Sequence, residues 1–85
     1  MQKGEFTIMR VKYKSNRIYV KAAISAYVYH YDGYSELMIT IFNGYNKENC
    51  ILSFELHYKN DANALLDELF TNGFVDLSGY ECKEL

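Results

Sequence analysis

The chain has 85 residues, enough for one hydrophobic core and too few for two, so we predict a single domain over residues 1–85. Its 49% hydrophobic and 24% charged residues exclude intrinsic disorder, and its net charge of −2 is unlike that of a dedicated nucleic-acid binder. No apolar run approaches the roughly 18 residues that span a bilayer, and no signal peptide is evident. We therefore expect a cytoplasmic protein whose two cysteines, Cys50 and Cys82, are reduced and buried.

Alternating polar and apolar residues predict two strands, over residues 5–14 and 17–31, with Ser15-Asn16 as a two-residue turn. Such a turn sets the register and separates the two faces of the hairpin. The predicted core face carries Met9, Val11, Tyr13, Ile18, Val20 and Ala22, and the opposite face carries Arg10, Lys12, Lys14, Arg17, Tyr19 and Lys21. Phe6 and Ile8 are out of phase with this pattern, which predicts a bulge near Ile8–Met9.

The dipeptide Asp32-Gly33 predicts a second hairpin, because glycine tolerates the positive φ of a type I′ turn. The apolar pairs that follow from its register are Val28 with Leu37, Ala26 with Ile39 and Ile24 with Ile41. On the other face the pairs are Tyr31 with Tyr34, Tyr29 with Glu36 and Tyr27 with Met38. Both turns predict the same core face for the second strand.

A fourth strand is predicted over residues 50–58, after a loop at 44–49, with Cys50 and its alternate residues facing inward. An apolar stripe then predicts a helix over residues 61–72, with Asn60 or Asp61 as N-cap and Gly73 after its end. The tail supports one short edge strand. The predicted fold is α+β: a four-stranded antiparallel meander with one amphipathic helix packed on one face and a short C-terminal strand, in the order ββββαβ.

The same placements make enzyme chemistry improbable. Ser53 and His57 share a face, but four residues of strand separate them by about 13 Å, too far for a catalytic dyad. Cys50 faces inward without a histidine beside it, and His30 falls on the core-facing side, where a satisfied structural histidine is expected. Glu36 is predicted opposite His57, near Glu55, and a cross-strand pair is favoured there over a metal site. We predict no enzyme activity, no metal and no cofactor.

What remains is a basic, tyrosine-rich sheet face with an apolar margin, on which an exposed pair of Phe42 and Ile51 is expected. The predicted binding surface comprises Arg10, Lys12, Lys14, Arg17, Tyr19, Lys21, Tyr27, Tyr29, Tyr31, Tyr34, Met38, Phe42 and Ile51. Tyrosine gives large contact area at low entropy cost, and exposed apolar patches usually meet a partner. A solvated face with edge lysines is the alternative for the basic residues.

This surface favours a non-enzymatic protein-binding module, an inhibitor or regulator that occludes a partner, or a homodimer pairing through the sheet. The chain is short and rich in Lys, Asn, Tyr and Ile, which fits a phage or mobile-element protein that blocks a host or defence factor. The alternative is single-stranded nucleic acid or a nucleotide, bound by stacking on tyrosine with Lys and Arg at the phosphates. The acidic balance of the whole chain argues against this alternative.

Overall fold

The computed structural model describes residues 8–44 and 47–85, and the α+β class is as predicted. The elements in chain order are β1 (Met9–Lys14), β2 (Ile18–Tyr31), β3 (Tyr34–Ile41), β4 (Cys50–Leu56), α1 (Lys59–Asn72), β5 (Phe74–Asp76) and β6 (Cys82–Glu84). All six strands form one sheet in the order β5-β1-β2-β3-β4-β6. The ββββαβ order is confirmed, with a second tail strand added. The start of the predicted first strand and two residues of the 44–49 loop lie outside the described residues.

The second hairpin has the register that Asp32-Gly33 predicts. Val28 lies opposite Leu37, Tyr29 opposite Glu36, and Tyr31 opposite Tyr34 at the turn. Gly33 has φ 89°, a conformation that residues with a Cβ adopt only with strain. Asp32 does not have a positive φ, so the turn is not of the predicted type I′, which requires one at both central residues. The turn residue therefore explains both the hairpin and its pairing.

The first hairpin has a different register from the predicted one. Lys14 pairs with Ile18 and Tyr13 with Tyr19, so residues 15–17 form a three-residue connection. This shift by one residue turns Tyr19 to the face of Tyr13, where the two rings stack with centroids 5.5 Å apart. The Tyr19 hydroxyl also donates to Asn16 Oδ1 at 2.8 Å. The alternating pattern did not predict this register, in which side chains contact one another across the turn.

A β-bulge in the middle of β2 restores the phase. The register shifts between Ala23 and Ser25, where Ile24 is the extra residue, so Ala23 and not Ile24 pairs with Ile41. Because of this insertion, odd-numbered residues of β2 face the helix before the bulge and even-numbered residues face it afterwards. β1 runs in regular register from Met9 to Lys14. The predicted bulge near Ile8–Met9 depends on pairing before Met9, and residues 1–7 lie outside the described residues.

Helix α1 begins two residues earlier than predicted. Its N-cap is Tyr58, which makes no side-chain capping hydrogen bond, so the predicted Asn60 or Asp61 cap is wrong. Its end is as predicted: Gly73 has φ 72° and donates its N–H to the Leu69 carbonyl at 2.9 Å. Within the predicted stripe, Ala62 and Leu69 are fully buried and Phe70 is exposed. Among the described residues, no helix is long and apolar enough to cross a membrane.

The sheet curls around its helix-side face. β5 and β6 lie at opposite edges, about 24 Å apart if the sheet were flat. Only residues 77–81 connect them, and the six steps from Asp76 to Cys82 span at most about 21 Å when extended. The connection also contains a turn, in which Tyr80 N–H donates to the Leu77 carbonyl at 3.1 Å. The two edges therefore approach each other.

We call the helix-side face of the curled sheet the inner face and the opposite side the outer face. The inner face and α1 enclose one core: Val11, Tyr13, Ala23, Leu37, Ile39, Ile41, Leu52, Phe54, Leu56, Ala62, Leu69, Val75 and Leu77. No element among the described residues forms a layer over the outer face in the way that α1 covers the inner face. Exposed side chains of the sheet are therefore concentrated on the outer face.

Candidate binding surface

The structure brings most of the predicted binding residues to the outer face. Arg10, Lys12 and Lys14 alternate with the buried Val11 and Tyr13 and so lie outward on β1. The register also places Tyr27, Tyr29, Tyr31, Tyr34, Met38 and Ile51 outward, whereas Arg17 lies exposed in the first turn. Phe42 follows β3, and its N–H donates to the Ala22 carbonyl at 2.9 Å.

Tyr19 and Lys21 are corrections, because the shifted register turns both to the inner face. Lys21 Nζ donates to Asn43 Oδ1 at 3.2 Å and lies 5.2 Å from the centroid of the Tyr19 ring. Ile18 and Val20 occupy the outer positions instead, each 56% exposed. The outer face of the first hairpin is therefore less basic and more apolar than the sequence suggested.

Four tyrosines, which we call the tyrosine ladder, form the most continuous feature of the outer face: Tyr27, Tyr29, Tyr31 and Tyr34. Successive ring centroids are 5.1, 6.3 and 4.9 Å apart, with the last pair stacked. Tyr29 is 53% exposed and Tyr31 is 42% exposed. Because the rings contact one another, their orientations are already restricted, so these side chains would lose little entropy on binding a partner.

Met38 and Ile51 contribute less than predicted to the exposed surface. Met38 is only 9% exposed, with Tyr27 and Ser53 in the cross-strand positions on either side. Ile51 is half-buried and lies opposite Thr40, so the expected direct pair with Phe42 does not form. Met38 and Ile51 therefore lie beneath the exposed side chains of the surface and offer little area for contact with a partner.

An acidic groove lies beside the tyrosine ladder. It has a volume of about 420 Å³ and is lined by Glu36, Ser53, Glu55, His57, Gly79, Tyr80, Glu81 and Lys83. Glu36 lies between Tyr29 and Glu55 in the register, not opposite His57 as predicted. Its Oε2 accepts a 2.7 Å hydrogen bond from the Ser53 hydroxyl. Burial and the nearby Glu36 carboxylate raise the pKa of Tyr31, so the ladder and the groove interact electrostatically.

The basic residues belong to another part of the outer face. β1 pairs with β2 only as far as Ala23, whereas the tyrosine ladder begins after the bulge. Lys12 Nζ lies 3.7 Å from Asp76 Oδ2. Hydrogen bonds from Ser78 to that carboxylate, together with Lys12, lower the pKa of Asp76. The cations therefore lie on β1 and in the first turn, beside the half of β2 before the bulge, whereas the tyrosines lie beyond the bulge. A carboxylate opposes one of the cations.

The serine and histidine side chains that could suggest catalysis form hydrogen bonds that stabilise the sheet instead. The Ser53 hydroxyl donates to Glu36 and not to His57. His30 Nδ1 and Ser35 Oγ are 2.7 Å apart, a serine–histidine pair that was not predicted, although the Asp32-Gly33 register sets the two residues directly opposite each other. Ser35 is completely buried, so no substrate can reach its oxygen. In the described ranges, no group of three or more His, Cys, Asp or Glu could hold a metal ion.

The two thiols are free and half-buried, not buried as predicted, and their environment disfavours the reactive thiolate. Burial raises the pKa of Cys50, and burial together with the charge of Glu84 raises the pKa of Cys82 to about 11. Since the thiolate is the nucleophilic form, both cysteines are poor nucleophiles at neutral pH.

No family model matches the chain, and comparisons with curated proteins and with solved structures also give no match.

Proposed function

We propose that the protein is a non-enzymatic, cytoplasmic protein-binding module that inhibits or regulates a partner by occluding it. The tyrosine ladder is the contact surface, and the acidic groove forms its border. The observation that carries this proposal is the ladder itself: four rings in contact, on a sheet face that no described element covers. Amphipathic aromatic rings held in place are typical of residues that dominate binding energy at protein interfaces.

Single-stranded nucleic acid is less well supported as the ligand. Stacking on the ladder would bring phosphates close to Glu36, which lies next to Tyr29 in the register, and toward Glu55 on the strand beyond it. The cations that could compensate lie on β1 and in the first turn, beside the other half of β2, and the inward turn of Lys21 removes one of them. Repulsion by the carboxylates would therefore oppose the contact that nucleic-acid binders depend on.

The direct test is co-purification of the tagged protein from the cells that encode it, with Tyr29→Ala as the variant. Tyr29 lies in the middle of the ladder, and its loss is expected to abolish recovery of the partner. The free energy of unfolding should remain within about 1 kcal/mol of wild type, because the side chain is exposed. Thermal and urea denaturation measure that difference.

Tyr58→Ala is the matched control, since Tyr58 is an equally large exposed tyrosine located at the start of α1. It should recover the partner as well as wild type does. Equal recovery by the two variants would contradict the proposal. Salt-sensitive binding of labelled single-stranded DNA that weakens in Lys14→Ala would instead favour a nucleic-acid ligand.

A further inference from the structure

One edge of β2 has no strand beside it among the described residues. After the bulge, Ser25–Tyr31 pairs with β3 on one side. On the other side, β1 reaches only as far as Met9, opposite Ala23. Within residues 8–44 and 47–85 this edge is therefore an open strand edge seven residues long.

The register identifies the backbone groups at this edge. A two-residue turn makes Tyr31 and Tyr34 a hydrogen-bonded pair, and such pairs recur at every second residue. Tyr29 and Tyr27 therefore direct their N–H and C=O groups toward β3. The groups of Ala26, Val28 and His30 point the other way, toward the open edge.

Burial of the inner-face side chains is consistent with an open edge. Val28 and Ala26 are only half-buried, whereas their partners on β3, Leu37 and Ile39, are both 0% exposed. On the inner face, these side chains of β3 are therefore completely buried, whereas their partners on the open part of β2 are partly exposed. The core is incompletely covered along this edge.

The open edge also lacks the features that keep strand edges apart. Ser25–Tyr31 contains no Lys, Arg, Asp, Glu or proline. By contrast, the sheet's outermost strands, β5 and β6, are three residues long and carry Asp76, Lys83 and Glu84. Short length and charge are the usual means of preventing edge-to-edge pairing. The two short strands have these features, and the open segment Ser25–Tyr31 of the longest strand does not.

We propose that this edge is a self-association site, where a second copy adds its own β2 edge in antiparallel orientation about a two-fold axis. Since only Ala26, Val28 and His30 offer edge hydrogen bonds, these residues must pair among themselves. Centring the axis at Val28 uses all of them: Val28 pairs with its own counterpart, and Ala26 with His30 of the second copy. This two-fold arrangement is self-complementary, as a symmetric dimer requires.

The same register brings the outer faces of the two copies together on one side. Tyr27 lies opposite Tyr29 of the second copy, so aromatic cross-strand pairs join the two tyrosine ladders. No like charges face each other along the seven residues. The contact depends on backbone groups, so it is independent of whether the ladder captures another protein.

Sedimentation velocity over a wide range of concentration tests the proposal, with Val28→Pro as the variant. Proline removes the edge N–H and leaves the bonds to β3 in place, because Val28 does not donate to β3. In a symmetric dimer two hydrogen bonds are lost, and at about tenfold each the dimer should weaken about a hundredfold. Val28→Thr keeps the N–H and should dimerise like wild type.

Amide hydrogen exchange of the wild-type chain tests the proposal even if Val28→Pro does not fold. The amides of Val28 and His30 should become protected as concentration rises, while those of Tyr27 and Tyr29 are protected throughout. A wild-type monomer at every concentration, or a dimer unaffected by Val28→Pro, would overturn the proposal. So would a monomer whose Val28 amide loses protection only when residues 1–7 are removed, because the chain's own N-terminal segment would then cover the edge.

Discussion

The two halves of β2 have the same sequence pattern and opposite orientations. Ile18–Ala23 and Ser25–Tyr31 both place apolar residues at even positions, yet Tyr19 faces inward in the first half and Tyr29 faces outward in the second. A single bulge between them accounts for the difference. Alternation therefore shows that a segment is a strand, while the turn and the bulge decide which side of it meets the core.

The contrast reflects the chemistry of the two turns. Gly33 has φ 89°, and the need for a glycine at this position can be recognised in the sequence from Asp32-Gly33. Ser15-Asn16 contains no glycine and adapts to a three-residue connection. In the first hairpin both faces are also partly apolar, since Tyr19 can pack on Tyr13 as readily as Ile18 could have done. Hydrophobic burial alone therefore discriminates weakly between the two registers.

The largest effect is expected from Tyr13→Ala, which removes the most buried aromatic residue of the first hairpin and its stack on Tyr19. A buried aromatic truncated to alanine costs about 3–5 kcal/mol of unfolding free energy. Urea denaturation measures it. Lys14→Ala, at the adjacent exposed position, should change stability by less than about 0.5 kcal/mol. A small effect at Tyr13 would mean that the first hairpin does not close the core.

Matched substitutions on the two halves of β2 test their opposite orientation directly. Tyr19→Ala should lower the unfolding free energy by about 1–3 kcal/mol, because the ring packs against the core. Tyr29→Ala should lower it by less than about 1 kcal/mol, because the ring is exposed. Equal small losses would indicate that Tyr19 faces outward, as the original register predicted.

The turn of the second hairpin should tolerate change less well than an ordinary glycine position. Gly33→Ala forces a side chain into a positive-φ conformation and should cost about 1–2 kcal/mol, although nothing lies within 4 Å of the added Cβ. Gly79→Ala also meets nothing within 4 Å and involves no such φ, so it should be neutral within about 0.5 kcal/mol. Because neither added Cβ meets a neighbour, thermal denaturation of the pair isolates the cost of backbone strain.

The smallest effect under ordinary conditions concerns pH. Burial, with the charge of Glu84 next in importance, raises the pKa of Tyr13 from 10.0 to about 12. The folded chain then keeps a proton that the unfolded chain loses, so stability is unaffected below pH 10.0 and falls between pH 10.0 and about 12. Tyr13→Phe should lessen this fall in denaturation curves recorded across that range. An identical fall in both proteins would assign it to other groups.

Much of the fold was predictable from local signals, and the misplaced residues have a common cause. The Asp32-Gly33 register, the helix end at Gly73 and the placement of Tyr27, Tyr29, Tyr31 and Tyr34 on one face were all predicted correctly. Tyr19 and Lys21 were misplaced because nothing local distinguishes a two-residue from a three-residue connection at Ser15. The acidic groove was also unpredictable, since it depends on where the tail returns across the sheet.

Site-specific photocross-linking tests the central claim, that the tyrosine ladder is the contact surface for another protein. A photoreactive phenylalanine analogue placed at Tyr29 should form a covalent adduct with one partner protein other than a second copy of the chain, in the cells that encode it. The same analogue at Tyr58, away from the ladder, should form none. Equal adducts at both positions, or adducts only at Tyr58, would contradict the assignment of the ladder as the binding surface.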